Sequence, residues 1–382
     1  MKDPAPTARR RGFASRIVVL ALLLAFLLVQ GWDAVPQARL ELQRPGFGYG
    51  VNVADLKNAP RVREMGFRWM KGFVGWDSLE PKPGEYDWTD LSKAVVASRQ
   101  SRLGLLLRID HAPDWSRPDH PEAGAPPDPD FLVAWGEMLF RVAQRGKGQV
   151  AAYEIWNEPN LASEWGGRAP DPAYYVEMLR VAYQRIKAVD PGARVVSAGL
   201  APTLGDGGIE AVDNLVYLRE MYRLGAEDYF DVLGSHPYGF GSPPDSDPHK
   251  VASFRSIELE REIMVEFGDG AKPVWATESG WLLDPGAVGL TGCRDKPPVQ
   301  RDLWQAVDAS TQARYSVEAY RYAYDNWPWL GAIFWFNLDF ATAPWYSDPC
   351  EPMGFYSLLG PDSQPRSAFE ALKAMPKPGR EP

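Results

Sequence analysis

Short apolar runs and longer amphipathic runs alternate along most of this chain. Residues 47–52, 67–76, 104–110, 150–156, 195–200, 232–236, 274–278 and 332–337 read as strands, each a compact apolar run near turn residues. The first carries glycine at alternate places, Gly48 and Gly50. Apolar residues recur every three or four positions over 131–145, 174–188, 311–327 and 367–375, which predicts helices there. The second helix stops at Asp190-Pro191-Gly192. Strands alternating with helices make parallel βαβ units. Eight of them predict a closed (β/α)8 TIM barrel over residues 45–376 rather than an open doubly wound sheet, with a linker over 36–44 and a tail over 377–382. No glycine-rich phosphate loop follows any strand. Gly166-Gly167 and Gly205-Asp206-Gly207-Gly208 lack the flanking pattern of a nucleotide site.

The first residues break this rhythm. Residues 17–29 are an unbroken apolar run preceded by Arg9, Arg10, Arg11 and Arg16. A basic flank before an apolar stretch is a targeting pattern, and the flank stays cytoplasmic. Residues 1–16 therefore read as a cytoplasmic flank and 17–35 as a signal anchor. The run is short for a span of about 20 residues and reaches one only by extending to Val35, so a cleaved signal peptide is the other reading. Either way the body is exported, membrane-anchored through the N-terminal helix or secreted.

The charge balance agrees. Net charge is −9, and residues 1–16 hold five basic groups against Asp3, net +4, leaving −13 on the remainder. An acidic body argues against a nucleic-acid partner, because phosphates want the opposite sign. The two cysteines, Cys293 and Cys350, belong to no Cys/His cluster and only 4 His are present, so no metal or cofactor is expected. Outside the cytoplasm Cys293 and Cys350 can pair as a disulfide. The 15 Trp are either core packing or platforms for sugar rings, and position must decide which. Oligomeric state is not legible.

Two predicted strands end in a carboxylate with polar and aromatic company. Strand four runs into Tyr153-Glu154-Ile155-Trp156-Asn157-Glu158-Pro159-Asn160, and strand seven is Val274-Trp275-Ala276-Thr277-Glu278-Ser279-Gly280-Trp281. Side chains at the C-terminal ends of barrel strands share one mouth. Retaining glycoside hydrolysis needs two carboxyls there, about 5–5.5 Å apart, one to protonate the leaving oxygen and one to attack the anomeric carbon. Their surroundings must differ, since the acid holds a proton and the nucleophile stays ionised. A non-catalytic ion pair is the bland reading of either glutamate alone.

Ile155-Trp156-Asn157-Glu158-Pro159-Asn160 resembles the strand-four signature of clan A glycoside hydrolases, and Thr277-Glu278-Ser279-Gly280-Trp281 that clan's strand-seven signature. The pattern is similar to family 39 and family 5, with family 39 favoured, and covers roughly residues 45–375. The resemblance implies Glu158 as acid/base, Glu278 as nucleophile, and Asn157 on the sugar 2-hydroxyl. It also implies His236 and Tyr238 after strand six, with Tyr238 bonded to the nucleophile. Trp335 would floor the −1 subsite, followed by a peptide that is often cis in the clan. Trp76 and Glu80 match the segment after strand two. Lys71 stands where many relatives have Arg, and a point charge does not replace a planar fork. Arg108 then either supplies the missing guanidinium or pairs with Glu154. His111 and Trp281 are further substrate-binding candidates. Trp115, Trp165, Trp281, Trp345 and Tyr346 lie in predicted βα loops, and at least two of these five are expected to contact sugar. Asp110 ends strand three among these candidates, while Asp339 and Asp348 read as turn formers.

These residues lead to a retaining hydrolase of an extracytoplasmic oligo- or polysaccharide, working without cofactor. A transglycosylase would use the same pair. A catalytically silent glycan-binding barrel in an assembly complex is a reading of another class.

Overall fold

The computed structural model describes Met1 and residues 46–379. The segment expected to be a signal anchor or signal peptide, 17–35, lies outside the described residues. Among the described residues no helix is long and apolar enough to cross a membrane.

Among the described residues, eight strands alternate with eight of the helices. They are β1 (Gly48–Asn52), α1 (Ala59–Glu64), β2 (Trp69–Gly75), α2 (Thr89–Gln100), β3 (Gly104–Asp110), α3 (Leu132–Gly146), β4 (Ala152–Ile155) and α4 (Pro172–Val189), then β5 (Arg194–Ser197), α5 (Asn214–Arg223), β6 (Leu233–Ser235), α6 (Ser256–Glu266), β7 (Val274–Ser279), α7 (Ala309–Asn326), β8 (Leu330–Trp335) and α8 (Ser367–Ala374). The strands form one parallel sheet in the order β5-β4-β3-β2-β1-β8-β7-β6. A parallel bridge between Val196 and Val232 joins its two ends and completes the barrel.

Local chemistry sets the boundaries. Asp171 caps α4 by accepting from the Ala173 and Tyr174 amides, and Asp308 caps α7 by accepting from Thr311. Strands four, five and eight stop short of their predicted ends, because the chain turns there to build the mouth.

The barrel interior is lined by Trp69, Leu106, Ala152, Val196, Val232, Trp275, Ala332 and Phe334. The Trp69 ring lies 5.2 Å from that of Trp275 and 6.3 Å from that of Phe334. The alternate glycines of β1 make this possible. A Cβ on Gly50 would sit 2.5 Å from the Phe334 ring, and one on Gly48 would sit 2.7 Å from the Ala332 Cβ. The outward strand residues pack against the helices in a second, larger apolar layer.

A third apolar cluster, Leu282, Leu283, Cys293, Val299, Cys350 and Phe355, lies in the loops after β7 and β8. A disulfide between Cys293 and Cys350 ties those loops together. At the chain's other end, the segment expected as a tail is engaged with β1: the Pro378 and Gly379 carbonyls accept from the Tyr49 hydroxyl and the Phe47 amide.

Candidate active site

Glu158 leaves β4 through a turn in which Trp156 and Glu158 adopt φ of +73° and +35°. Non-glycine residues take positive φ only where surrounding contacts hold them. Here the Trp156 indole donates to the Glu164 carbonyl at 3.2 Å and the Glu158 amide donates to the Gly199 carbonyl at 3.1 Å. Glu278 lies on β7. Trp275 faces the barrel interior, so strict alternation would turn Glu278 outward. A register shift against β8 between Ala276 and Ser279 accompanies its turn toward the axis.

The two carboxylates meet across His236. One ligand-type atom from each of Glu158, His236 and Glu278 lies within 4.8 Å of the other two. The His236 Nδ1 is 2.8 Å from Glu158 Oε1 and 3.8 Å from Glu278 Oε2, with the ring fully buried. These groups have the chemistry of metal ligands. Burial, which alone would lower the imidazole pKa, is outweighed by Glu278, Glu154 and Glu158, which raise it to about 9.

Below them a buried charge layer fills the axis. Lys71 Nζ is 2.6 Å from Glu154 Oε2 and 3.2 Å from Glu278 Oε1. Arg108 Nη1 is 3.4 Å from Glu278 Oε1 and donates to Asn157 Oδ1 at 2.7 Å, and its Nε lies 2.8 Å from Asp110 Oδ2. Arg108 thus sits on the Glu278 side, and Lys71 is the partner of Glu154. Burial pushes the Glu278 carboxyl up, but His236, Lys71 and Arg108 outweigh it and hold it below the ordinary glutamate range. The Tyr238 hydroxyl donates to Glu278 Oε2 at 2.8 Å, and burial followed by the Glu278 charge keeps that phenol protonated.

Several predicted contacts fall elsewhere. Trp335 does not floor the mouth: Ala332 and Phe334 face inward, so Ile333 and Trp335 face the helices. Its ring stacks on Trp281 at 6.1 Å and its Nε1 donates to the Tyr356 carbonyl at 3.2 Å. Phe336 occupies the inward position instead, 5.9 Å from the Tyr238 ring, and the cis peptide follows it, at Phe336–Asn337. Trp281 is buried against Gly239 and donates to the Ser242 carbonyl at 2.8 Å. Trp76 is buried between Trp115 and Trp135 and donates to Glu80 Oε2 at 2.8 Å. Both indoles brace loops and are closed to a ligand. His236, also expected on substrate, is covered by the two carboxylates it bridges. His111 does stand open, with 57% of its side chain exposed and Nδ1 2.5 Å from Asp110 Oδ1. Of the other loop aromatics, Trp165 is buried and Trp345 is exposed. Asp339 is more than a turn former. It accepts from the Ala54 and Asp55 amides and from Asn58 Nδ2, clamping the loop after β1 to that after β8.

Sequence reasoning missed Phe336, the exposed Trp304, and Glu164. Trp304 stacks on Phe240 at 5.7 Å, two residues beyond Tyr238. Glu164 sits in the turn after Asn160, and its Oε1 accepts from Asn157 Nδ2 at 3.2 Å. The strand parity that turns Phe336 toward Tyr238 could be read from Trp335 only with the register known, and nothing in sequence marks Glu164.

No family model and no curated protein matches the sequence. Solved structures do match. The fold is similar to those of glycoside hydrolases of families 39 and 5. A family 39 glycoside hydrolase from Bacteroides cellulosilyticus superposes with a TM-score of 0.64 at 21% identity, over 87% of this chain and 63% of that one. A family 39 β-xylosidase from Caulobacter crescentus gives 0.59 at 18%, over 86% and 70%. A family 5 protein from Streptomyces cattleya, solved with GlcNAc, gives 0.58 at 16%, over 87% and 82%. At these identities the likeness is one of fold.

Proposed function

We propose that this protein is a retaining glycoside hydrolase that cleaves O-glycosidic bonds of an extracytoplasmic oligo- or polysaccharide by double displacement. The observation that carries the reading is the close approach of Glu158 and Glu278, with ligand atoms of both inside a 4.8 Å cluster. That spacing suits direct attack by one carboxylate and leaves no room for the water that an inverting pair needs.

The roles divide by environment. Glu278 is 6% exposed and ringed by Lys71, Arg108 and Tyr238, so it stays ionised and is the nucleophile. Glu158 is 19% exposed and is the acid/base. Glu158 gives its proton to the glycosidic oxygen as a Glu278 oxygen bonds to the anomeric carbon and the aglycone leaves. Water then attacks that carbon, Glu158 takes the water's proton, and the ester to Glu278 breaks. As the carboxylate becomes an ester, the surrounding cations keep their hold on its carbonyl oxygen.

Two exposed indoles support a polymeric substrate. Trp304 is 67% exposed and Trp345 is 54% exposed, on loops at the same end of the barrel as the carboxylates. A line of edge contacts leads from Tyr238 through Phe336 and Phe340 to Trp345, with centroid separations of 5.9, 5.0 and 5.2 Å. Flat rings in such places stack on sugar faces. The basic and apolar N-terminal pattern supports export, as does the Cys293–Cys350 bond, since disulfides persist in oxidising compartments.

The test is a screen of residues 40–382 on neutral β-linked polysaccharides and aryl glycosides, with the anomer of the first product read by proton NMR. Retained configuration and loss of turnover in Glu278→Gln are expected. Inverted product, or undiminished turnover in that variant, would sink the proposal.

A further inference from the structure

The end of the barrel opposite the two carboxylates carries a charge of its own. Glu158 and Glu278 lie toward the C-terminal ends of strands, whereas the turns that enter β2 and β3 lie at the other end. Residues 61–68 hold Arg61, Arg63 and Arg68, and residues 99–102 hold Arg99 and Arg102, with Glu64 as the one acid among them. Glu64 is already engaged, by Arg61 at 2.8 Å and by Lys373 at 2.8 Å. Arg63 and Arg99 instead donate to neutral oxygens, the Arg102 carbonyl at 3.4 Å and Gln149 Oε1 at 3.1 Å. Arg102 follows the last turn of α2 in the left-handed region, with φ of +53°. Glycine takes that place without steric penalty, so an arginine there costs stability. Between α1 and α2 runs a groove of about 420 Å³, lined by Lys57, Arg63, Gln100 and Arg102 over apolar Leu56 and Pro60.

We infer that this face docks on an anionic lipid surface, with phosphodiester headgroups among the arginines and the mouth turned away from the bilayer. Three features favour lipid over another polyanion. The planar guanidinium fork matches a pair of phosphate oxygens. The groove sets a cationic rim over an apolar floor, which suits a headgroup joined to acyl chains. The chain also enters the barrel at this end, because residue 46 leads into β1, and the apolar run 17–29 lies upstream of it. Residues 36–45 reach at most roughly 35 Å when extended, so this is the end tethered to whatever holds that run. The rest of the body is acidic, and its field opposes the approach. At physiological salt, charges beyond about 8 Å are largely screened, so at contact the local arginines outweigh the acidic far side. The inference stands apart from the proposed hydrolysis, which uses the other end of the barrel.

Flotation of residues 40–382 with vesicles tests this. Those residues hold the closed barrel and its apolar layers, and without the apolar run any binding comes from the body. At about 0.1 M salt, vesicles of about one third phosphatidylglycerol in phosphatidylcholine should carry the protein up, and pure phosphatidylcholine should not. Raising the salt to about 0.5 M should release it. Arg63→Gln/Arg102→Gln should weaken binding roughly 25-fold, at about fivefold per arginine. Arg102→Gly separates charge from fold: relief of the left-handed residue should leave Tm equal or higher, while vesicle binding falls about fivefold. No flotation on the anionic vesicles, equal flotation on both kinds, or undiminished binding by Arg102→Gly overturns the inference. Dextran sulfate that binds as tightly through the same arginines also overturns it, and gives the face to an acidic polysaccharide.

Discussion

Lys71 is enclosed by protein on every side, with Glu154 and Glu278 both within 3.2 Å of its Nζ. Burial alone would raise Glu154, yet Lys71 and His236 bring it down to about 2. Replacing Lys71 with Met strands two buried carboxylates, and breaking a buried pair costs about 3–5 kcal/mol. Urea unfolding of Lys71→Met near pH 7 should show a loss of that size, and a loss under about 1 kcal/mol would mean that Lys71 is not the partner of Glu154. Glu158→Ala should lower kcat by about 10²–10⁴, the usual worth of a general acid, with azide restoring part of it. Unaltered kcat without azide would remove Glu158 from the chemistry. The glutamates were legible in sequence because each ends a strand among distinctive neighbours. Trp335, Trp281 and Trp76 were misread because a side chain's face depends on register, and a one-residue offset separates Trp335, packed on Trp281, from Phe336, whose ring lies beside Tyr238.

The strands were readable as apolar runs, and the long helices α3, α4 and α7 as periodic ones. The helix α1 has only six residues, too few for a period. The helix α2 buries Leu91, Ala94, Val95 and Ser98, a stripe of mostly small side chains that stands out poorly from its surroundings. On β1, the alternate glycines have a steric purpose that the sequence only hinted at. Gly50→Ala drives a methyl into the Phe334 ring and should cost about 1–3 kcal/mol, measured as a lower midpoint in urea at unchanged slope. On α6, Glu260 is buried with Oε1 accepting from Asn214 Nδ2 at 2.9 Å, and burial raises its carboxyl to about 7. The folded state therefore holds a proton that the unfolded chain has released, and the associated stability fades as the pH climbs from the ordinary glutamate range through 7. Between pH 5 and pH 8 the wild type should lose on the order of 1–2 kcal/mol relative to Glu260→Gln. Parallel stability curves for the two proteins would refute this.

At the scale of the molecule, the bond between Cys293 and Cys350 closes a loop of 57 residues. In the chain-entropy picture such a loop is worth about 4 kcal/mol against unfolding. The double Cys293→Ala/Cys350→Ala variant should melt several degrees lower in calorimetry, and an unchanged Tm would show that the apolar cluster around the bond suffices. The pairing itself could be suspected from composition and compartment, whereas the surface it organises could not. Leu303, beside Trp304, packs into the cluster that holds the bond, and Tyr356 of the same cluster touches the Tyr238 and Phe336 rings. The bond thereby couples a redox condition to the shape of this wall of the mouth. In a reducing compartment the same chain would keep its paired carboxyls and lose the firmness of one wall. On the proposed function, turnover of small glycosides and grip on long ones would then part company. A protein built this way holds that wall firm only where an oxidant keeps the two sulfurs joined.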